Sequence, residues 1–418
     1  MANLSLPPGI SDIFPEEMTE WRYIEQTAEK VFNLYGYSEL RTPILEYTEI
    51  FQRSIGTETD VVKKEMYTFE DKGGRSLTLR PEGTAGVMRA LSGTDVMNGN
   101  ERRVFYTGPM FRGEKPAAGR KRQFYQIGVE NAGTVSAEGD AESIAMLMDF
   151  LKSVGLNDAS LLINTRGAFE DRAPAEKLLR ERLTERESEL CHDCQERMGR
   201  NIWRVIDCKN PDCAAIVDSL PEITSSFSDE TKSYFNDVCK ALDVLNVPYK
   251  IEPNLVRGLD YYVHTVFEVT HSGLGAQNSI AGGGRYEVSL PGLKRAVVGV
   301  GFALGMERII MAREAEKVTT GDPLTPYVYF ISLGKDAKLA NMKSASELRH
   351  AGYSVVGCME DKSMKAQMRA ANRLSAKFVV IRGDAEVEKK TCICKNMENS
   401  DQHEISDDQL LDFLEKTP

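Results

Sequence analysis

The 418 residues hold little of what several common functions require. The longest apolar run, Ala296–Met306, falls well short of the roughly 20 residues that span a bilayer, so no membrane partner is expected. The opening MANLSLPPGI has neither the basic start nor the apolar core of a secretory signal. Histidine is scarce: His192, His264, His271, His350 and His403 include no pair at helical zinc spacing, which argues against a His-based catalytic metal. Net positive charge is missing too. A total of −11 argues against indiscriminate nucleic-acid binding and confines any such contact to local basic patches. The Gly-rich Ala281–Tyr286 (AGGGRY) has neither a Walker loop's Gly-Lys-Ser/Thr nor a dinucleotide fingerprint, and its expected role is close backbone approach to a ligand. What remains is an ordinary globular composition, 41% hydrophobic and 28% charged, at a length that suggests two to three domains. Eight cysteines without a secretory signal suit a reducing, cytoplasmic compartment.

The most informative stretch is Arg102–Glu130, RRVFYTGPMFRGEKPAAGRKRQFYQIGVE. It reads as two strands, the first ending at Phe111 and Arg112, joined by a turn from Gly113 to Gly119. On the second strand a period of two places Tyr125, Ile127 and Val129 on one face. Arg122, Gln126 and Glu130 fall on the other, with Gly128 leaving space between them. A sheet with one apolar face packs it on a core and offers the other to a ligand. Between Glu101 and Tyr125 seven Lys/Arg face two Glu, a local excess of basic charge in an acidic chain. Arginine's planar fork suits phosphate.

Along the rest of the chain, Glu16–Leu34 has a helical period with Trp21, Ile24, Ala28, Val31 and Phe32 on one face. Tyr37–Pro43 reads as a strand. Met66–Phe69 and Ser76–Leu79 form a hairpin about Lys72–Arg75. Glu82 and Thr84 stand where that hairpin hands over to a helix, Ala85–Leu91, which either could cap. Ala141–Val154 is a further helix closed by Gly155. From about 169 to 248 helix formers dominate, and Cys191-x2-Cys194 and Cys208-x4-Cys213 appear. These four permit a tetrahedral zinc knuckle; the alternative is four unrelated thiols. In Leu255–Val269 (LVRGLDYYVHTVFEV) a turn at Arg257-Gly258 precedes a strand with Val263, Phe267 and Val269 on one face. Val297–Ile310 reads as a strand running into a helix, with Gly301 and Gly305 on one bare helical face and Arg308 a turn further on. Glu314–Pro326 is a polar linker, beyond which strand and helix alternate as in a small, parallel-dominated α/β domain.

Arg80-Pro81-Glu82-Gly83-Thr84 with the basic hairpin resembles the second signature motif of class II aminoacyl-tRNA synthetases. Arg257-Gly258-Leu259-Asp260-Tyr261-Tyr262 resembles the histidine-specific motif of the histidyl-tRNA synthetase family, and Val297–Ile310 the third class II motif. The helix and strand around Trp21–Pro43 are similar to the first, which forms the family's dimer interface. The resemblance implies an α+β fold: a class II antiparallel-sheet catalytic domain over 1–320 with a helical insertion at about 169–248, and an α/β anticodon-binding domain over 325–418. It implies histidine activation by ATP with Mg2+, transfer to histidine tRNA, and a homodimer. By the same resemblance Arg112, Arg257 and Arg308 act on the phosphates, with Glu114 and Arg120 holding the nucleotide. Glu82, Thr84 and Gln126 then bind the substrate ammonium; Glu130, Tyr261 and Tyr262 line the imidazole pocket. Lys115, Lys121 and Arg122 face the tRNA acceptor end. No metal ligand is implied for catalysis. The sequence departs from the family at Ala117-Ala118, where a glutamine is usual, and after Tyr286, where Glu287 and Val288 replace Asp-Gly. The alternative is a non-catalytic, histidine-sensing relative that assists ATP phosphoribosyltransferase; such relatives lack the phosphate-binding arginines and the C-terminal domain.

Overall fold

The computed structural model describes residues 5–57, 59–208, 210–220, 222–275, 277–320, 325–357 and 360–417. Gly321 and Pro323 of the expected linker lie outside these. Two compact units emerge, Met1–Thr320 and Gly321–Pro418. Among the described residues no helix is long and apolar enough to cross a membrane.

Among the described residues the first unit contains eleven strands: β1 (Ser38–Glu39), β2 (Leu45–Tyr47), β3 (Tyr67–Glu70), β4 (Ser76–Leu79), β5 (Arg102–Phe111), β6 (Gln123–Ala132), β7 (Ala159–Thr165), β8 (Lys250–Ile251), β9 (Tyr262–His271), β10 (Ser279–Val288) and β11 (Val297–Gly305). Eight of them make one sheet in the order β1-β5-β6-β11-β10-β9-β7-β8, antiparallel throughout except at its two short edges. The expected strand Tyr37–Pro43 is interrupted. Only Ser38 and Glu39 join the large sheet, and after Pro43 the chain enters a separate three-stranded sheet, β2-β4-β3. Proline lacks the N–H a ladder needs.

One face of the large sheet is apolar and carries Ile127, Val129, Phe267, Val269, Val300, Phe302 and Leu304. Helices Pro15–Leu34, Ala137–Ser153 and Asp229–Val244 cover it, contributing Trp21 and Phe32, Ile144 and Phe150, and Val238 and Leu242. Phe32 meets the rings of Phe105, Phe150 and Phe302 at 5.4–6.0 Å. Such contacts add to the roughly 1.5–3 kcal/mol from burying each large apolar side chain. The helical segment after Phe169 has its own core, running from Ala175 to Phe227 and including Cys194 and Cys213. Asp229–Val244 packs instead on the main sheet, so the self-contained helical cluster stops some twenty residues (roughly) before the expected boundary at 248, as the apolar stripe of that helix dictates.

The second unit holds a five-stranded sheet whose order is Val355–Gly357, Val328–Ser332, Phe378–Arg382, Thr391–Asn396, Gln402–Ser406. The first three strands are parallel and the last two join antiparallel. The parallel-dominated expectation therefore holds for only half of the sheet. The exposed strand Gln402–Ser406 carries too few apolar residues to be read as a strand.

Candidate active site

On the face opposite the core, strand register lines up one row across five strands. Tyr106 stands opposite Gly128, Gly128 opposite Ala303, Ala303 opposite Gly282, and Gly282 opposite Glu268. The next row runs from Glu130 through Gly301 to Gly284. Gly301 and Gly305 thus belong to a strand, not to a helical face; the helix begins at Met306. The alternation Gly299, Gly301, Ala303, Gly305 is a period of two, and it leaves this floor bare of side chains. The protein's own polar groups lie flat in the space. A Cβ at Gly128 would collide with the Tyr106 ring, one at Gly301 with the Glu130 carboxylate, and one at Gly282 with the Arg257 guanidinium. The glycines of AGGGRY therefore do not open onto a ligand directly, as the sequence suggested. They sit in a strand, where Gly282 and Gly284 let Arg257 and Tyr262 approach the sheet and Gly283 faces the apolar core.

At one end is a dry pocket. Glu82 accepts the N–H groups of Thr84 and Ala85 at 2.7 and 2.8 Å, so it caps the helix Thr84–Leu91. Thr84 is not the cap; its hydroxyl donates to Glu130 Oε1 at 2.7 Å. Among the described residues Glu130 Oε2 and the buried Gln126 Oε1 have no hydrogen-bond partner. Tyr106, Tyr261, Tyr262 and Tyr286 wall the pocket, with Tyr261 and Tyr262 ring centroids 4.7 Å apart. Burial, with the Glu82 charge behind it, pushes the Glu130 carboxyl up to about 8, against the Thr84 hydrogen bond. Buried acceptors without donors are costly. This pocket is built to receive a ligand that brings N–H donors.

The weakened acidity of Glu130 makes stability depend on pH. Without a ligand the folded Glu130 carboxyl holds its proton up to about pH 8, while the unfolded chain's ionises near 4.5; a ligand donor at Oε2 favours the carboxylate. Stability associated with Glu130 is therefore complete below about pH 4.5 and is lost progressively as pH rises toward about 8. Glu130→Gln should melt above the wild type, by a margin that widens from pH 5 to pH 8 in ligand-free thermal scans. A margin independent of pH would contradict this account of the pocket.

At the other end the arginines gather. Arg257 pairs with Glu268 at 2.6 Å, and its carbonyl accepts Arg166 Nη1 at 3.0 Å. Arg166 in turn lies over Trp203 of the helical segment, 5.0 Å from the ring centroid. Arg112 Nε donates to Pro81 O at 2.8 Å and its guanidinium stacks on Phe124. Glu114 stands between Arg112 at 3.8 Å and Arg120 at 2.8 Å. Arg308 Nη1 donates to the carbonyls of Gln277 and Ser279, and burial beside the Arg120 charge pulls its basicity down. A half-buried cation held beside another cation awaits an anion.

The turn between β5 and β6 is closed by reciprocal hydrogen bonds between Ala117 and Arg120, at 3.0 and 2.9 Å, with Gly119 at φ +65°. Lys115 is exposed, whereas Lys121 reaches Ser11 Oγ at 2.8 Å and Arg122 donates to Glu114 O at 3.2 Å. Arg122 is thereby part of the turn's own framework.

Sequence reasoning missed Tyr106, Glu268 and Tyr286. Glu268, a lone acid within the apolar VFEVT, was the one legible signal. It also missed the node beneath the site. Arg285 of β10 pairs with Asp140 at 2.6 Å, and Thr265 and Tyr234 donate to the same carboxylate at 2.6 and 3.0 Å. The carbonyls of Thr134 and Ser136 take two more guanidinium protons.

An antiparallel sheet that carries an arginine cluster and an acid-lined pocket, with a separate α/β unit, is the architecture of a class II aminoacyl-tRNA synthetase. The histidyl-tRNA synthetase family model matches residues 9–309, and an anticodon-binding-domain model matches residues 327–417. This chain belongs to the histidyl-tRNA synthetase family. A histidine–tRNA ligase of Halothermothrix orenii is 42% identical over 418 residues, covering 99% of each chain. One from Thermosipho melanesiensis is 44% identical over 405 residues, 96% of each. The crystal structure of apo S. aureus histidyl-tRNA synthetase superposes with a TM-score of 0.80 at 36% identity, covering 99% of this chain and 100% of that one.

Proposed function

We propose that this chain is a histidine–tRNA ligase that forms histidyl-adenylate from histidine and ATP, then esterifies the 3′ end of histidine tRNA. The observation that carries the substrate assignment is the pair of orphan buried acceptors, Glu130 Oε2 and Gln126 Oε1. Histidine brings N–H donors at both its ends. The ammonium lies toward Glu82, Thr84 and Gln126, and the imidazole toward Glu130 between Tyr261 and Tyr262. A site built this way rejects analogues without the donors by roughly 10⁴–10⁵-fold, because its buried acceptors would stay unpaired.

In the first step a histidine carboxylate oxygen attacks the α-phosphorus as the bond to the β-phosphate's bridging oxygen breaks, and pyrophosphate leaves. The protein's part is alignment and charge. Arg257 and Arg112 flank the α-phosphate, Arg308 takes the γ-phosphate, and Glu114 and Arg120 hold the nucleotide. Mg2+ bound with the outer phosphates would neutralise them; the carboxylates of the site, Glu114 and Glu268, are paired with Arg120 and Arg257 and would share their oxygens with it. Charging of histidine tRNA by the purified chain tests the assignment; histidine binding without adenylate formation would identify a sensing protein instead.

The basic turn contacts the tRNA acceptor end through Lys115 and Lys121. Removing both should weaken tRNA binding and reduce its salt dependence by about one unit per lost phosphate contact, with adenylate formation intact. An unchanged salt slope would count against an RNA role.

The working unit is a cytoplasmic homodimer. Leu45, Tyr47, Tyr67 and Phe69 share one face of the small sheet and are 36–48% exposed, an apolar patch that a second copy can cover. Light scattering should give twice the chain mass, and Phe69→Glu should shift it toward monomer. A wild-type mass that stays monomeric at every concentration removes this reading.

A further inference from the structure

The helical segment carries a feature that activation of histidine does not use. The Sγ atoms of Cys191, Cys194, Cys208 and Cys213 all lie within 4.8 Å of one another, with Cys191 and Cys208 3.9 Å apart. Tetrahedral zinc with bonds of about 2.3 Å places its sulfurs about 3.8 Å apart. Four unrelated thiols have no reason to converge, since sulfur is a weak hydrogen-bonding partner and packs anywhere in an apolar core. The framework fits thiolates as well. Cys191 is the N-cap of helix His192–Arg200 and Cys194 lies in its first turn. Cys213 lies in the first turn of helix Pro211–Asp218, whose N-cap is Asn210. Both helices thus aim the positive ends of their dipoles at the cluster. The backbone N–H of Cys191 donates to Cys213 Sγ at 3.2 Å, a hydrogen bond that a metal-bound thiolate accepts readily. Cys194 and Cys213 are fully buried and Cys191 and Cys208 half-buried, so a bound ion would be enclosed on one side and reachable on the other.

We propose that these four cysteines form a structural tetrathiolate site for one Zn2+ per chain. With four protein ligands the ion has no open position and takes no part in the reaction. It clamps two helices whose core also holds Trp203, the ring beneath Arg166, and Val256, the neighbour of Arg257.

The test is metal content of the full chain purified under reducing conditions from zinc-replete medium, with thiol titration and cobalt substitution alongside. About one zinc per chain is expected, with four thiols that react only after chelation. Cobalt-loaded protein should show the absorption of a tetrahedral, all-thiolate site. Cys213→Ser should lose the zinc, whereas Cys239→Ser, outside the cluster, should keep it. Metal-free protein whose cluster thiols react freely overturns the proposal, as does stoichiometric iron in place of zinc, or full zinc retention in Cys213→Ser. If Cys213→Ser fails to fold, the wild-type stoichiometry and cobalt spectrum still decide.

Discussion

Arg257→Ala is expected to slow histidine-dependent pyrophosphate exchange by roughly 10²–10³-fold, equivalent to about 3–4 kcal/mol of lost transition-state stabilisation. The guanidinium is held before substrate arrives. Glu268 pins it at 2.6 Å, Gly282 leaves room for it against the sheet, and Arg166 fixes its backbone carbonyl. A donor fixed in this way costs no reorganisation when charge develops on the α-phosphate, and it stabilises that charge more than it stabilises bound ATP. Folding and tRNA binding should be nearly unaffected, because the residue is not part of an apolar cluster. Wild-type exchange in a folded Arg257→Ala protein would remove the role assigned here. The same geometry makes Gly282→Ala a second probe, since its Cβ would displace the guanidinium without removing it.

Asp140→Ala should destabilise the first unit by about 3–5 kcal/mol, the cost of leaving a buried charge without its partner. The side chain of Arg285 is 5% exposed and that of Asp140 is fully buried. The pair ties strand β10 to helix Ala137–Ser153, while Thr265 and Tyr234 bring in β9 and helix Asp229–Val244. Urea denaturation measures the loss directly. A loss below about 1 kcal/mol, the range of exposed ion pairs, would show that water reaches the node.

Much of the site was legible because it follows from short-range rules. The period of two in QFYQIGVE puts Gln126 and Glu130 together, and Glu82 and Thr84 sit at a strand-to-helix handover that the structure retains. What was not legible depends on the register between neighbouring strands and on loop side chains laid across them. Arg257 reaches Glu268 by lying over Gly282, the residue that pairs with Glu268, and Tyr106 fills the pocket because its register places it opposite Gly128. Asp140 and Arg285 lie far apart along the chain, and neither carries a local sign of its partner. The segment VVGVGFALG was misread for a different reason. Gly-containing apolar runs show too few side chains to separate a period of two from one of 3.6, and the strand continues to Gly305. The boundary of the helical segment was missed because Asp229–Val244 is as charged outside as its neighbours, and only its buried stripe assigns it to the main core.

The central claim is that the acid-lined pocket selects histidine and the arginine ring activates it. Exchange of labelled pyrophosphate into ATP, run with each of the twenty amino acids in turn, tests both halves together. Histidine alone should support exchange. Exchange supported equally by another amino acid would contradict the pocket assignment, and no exchange with histidine would contradict the catalytic one.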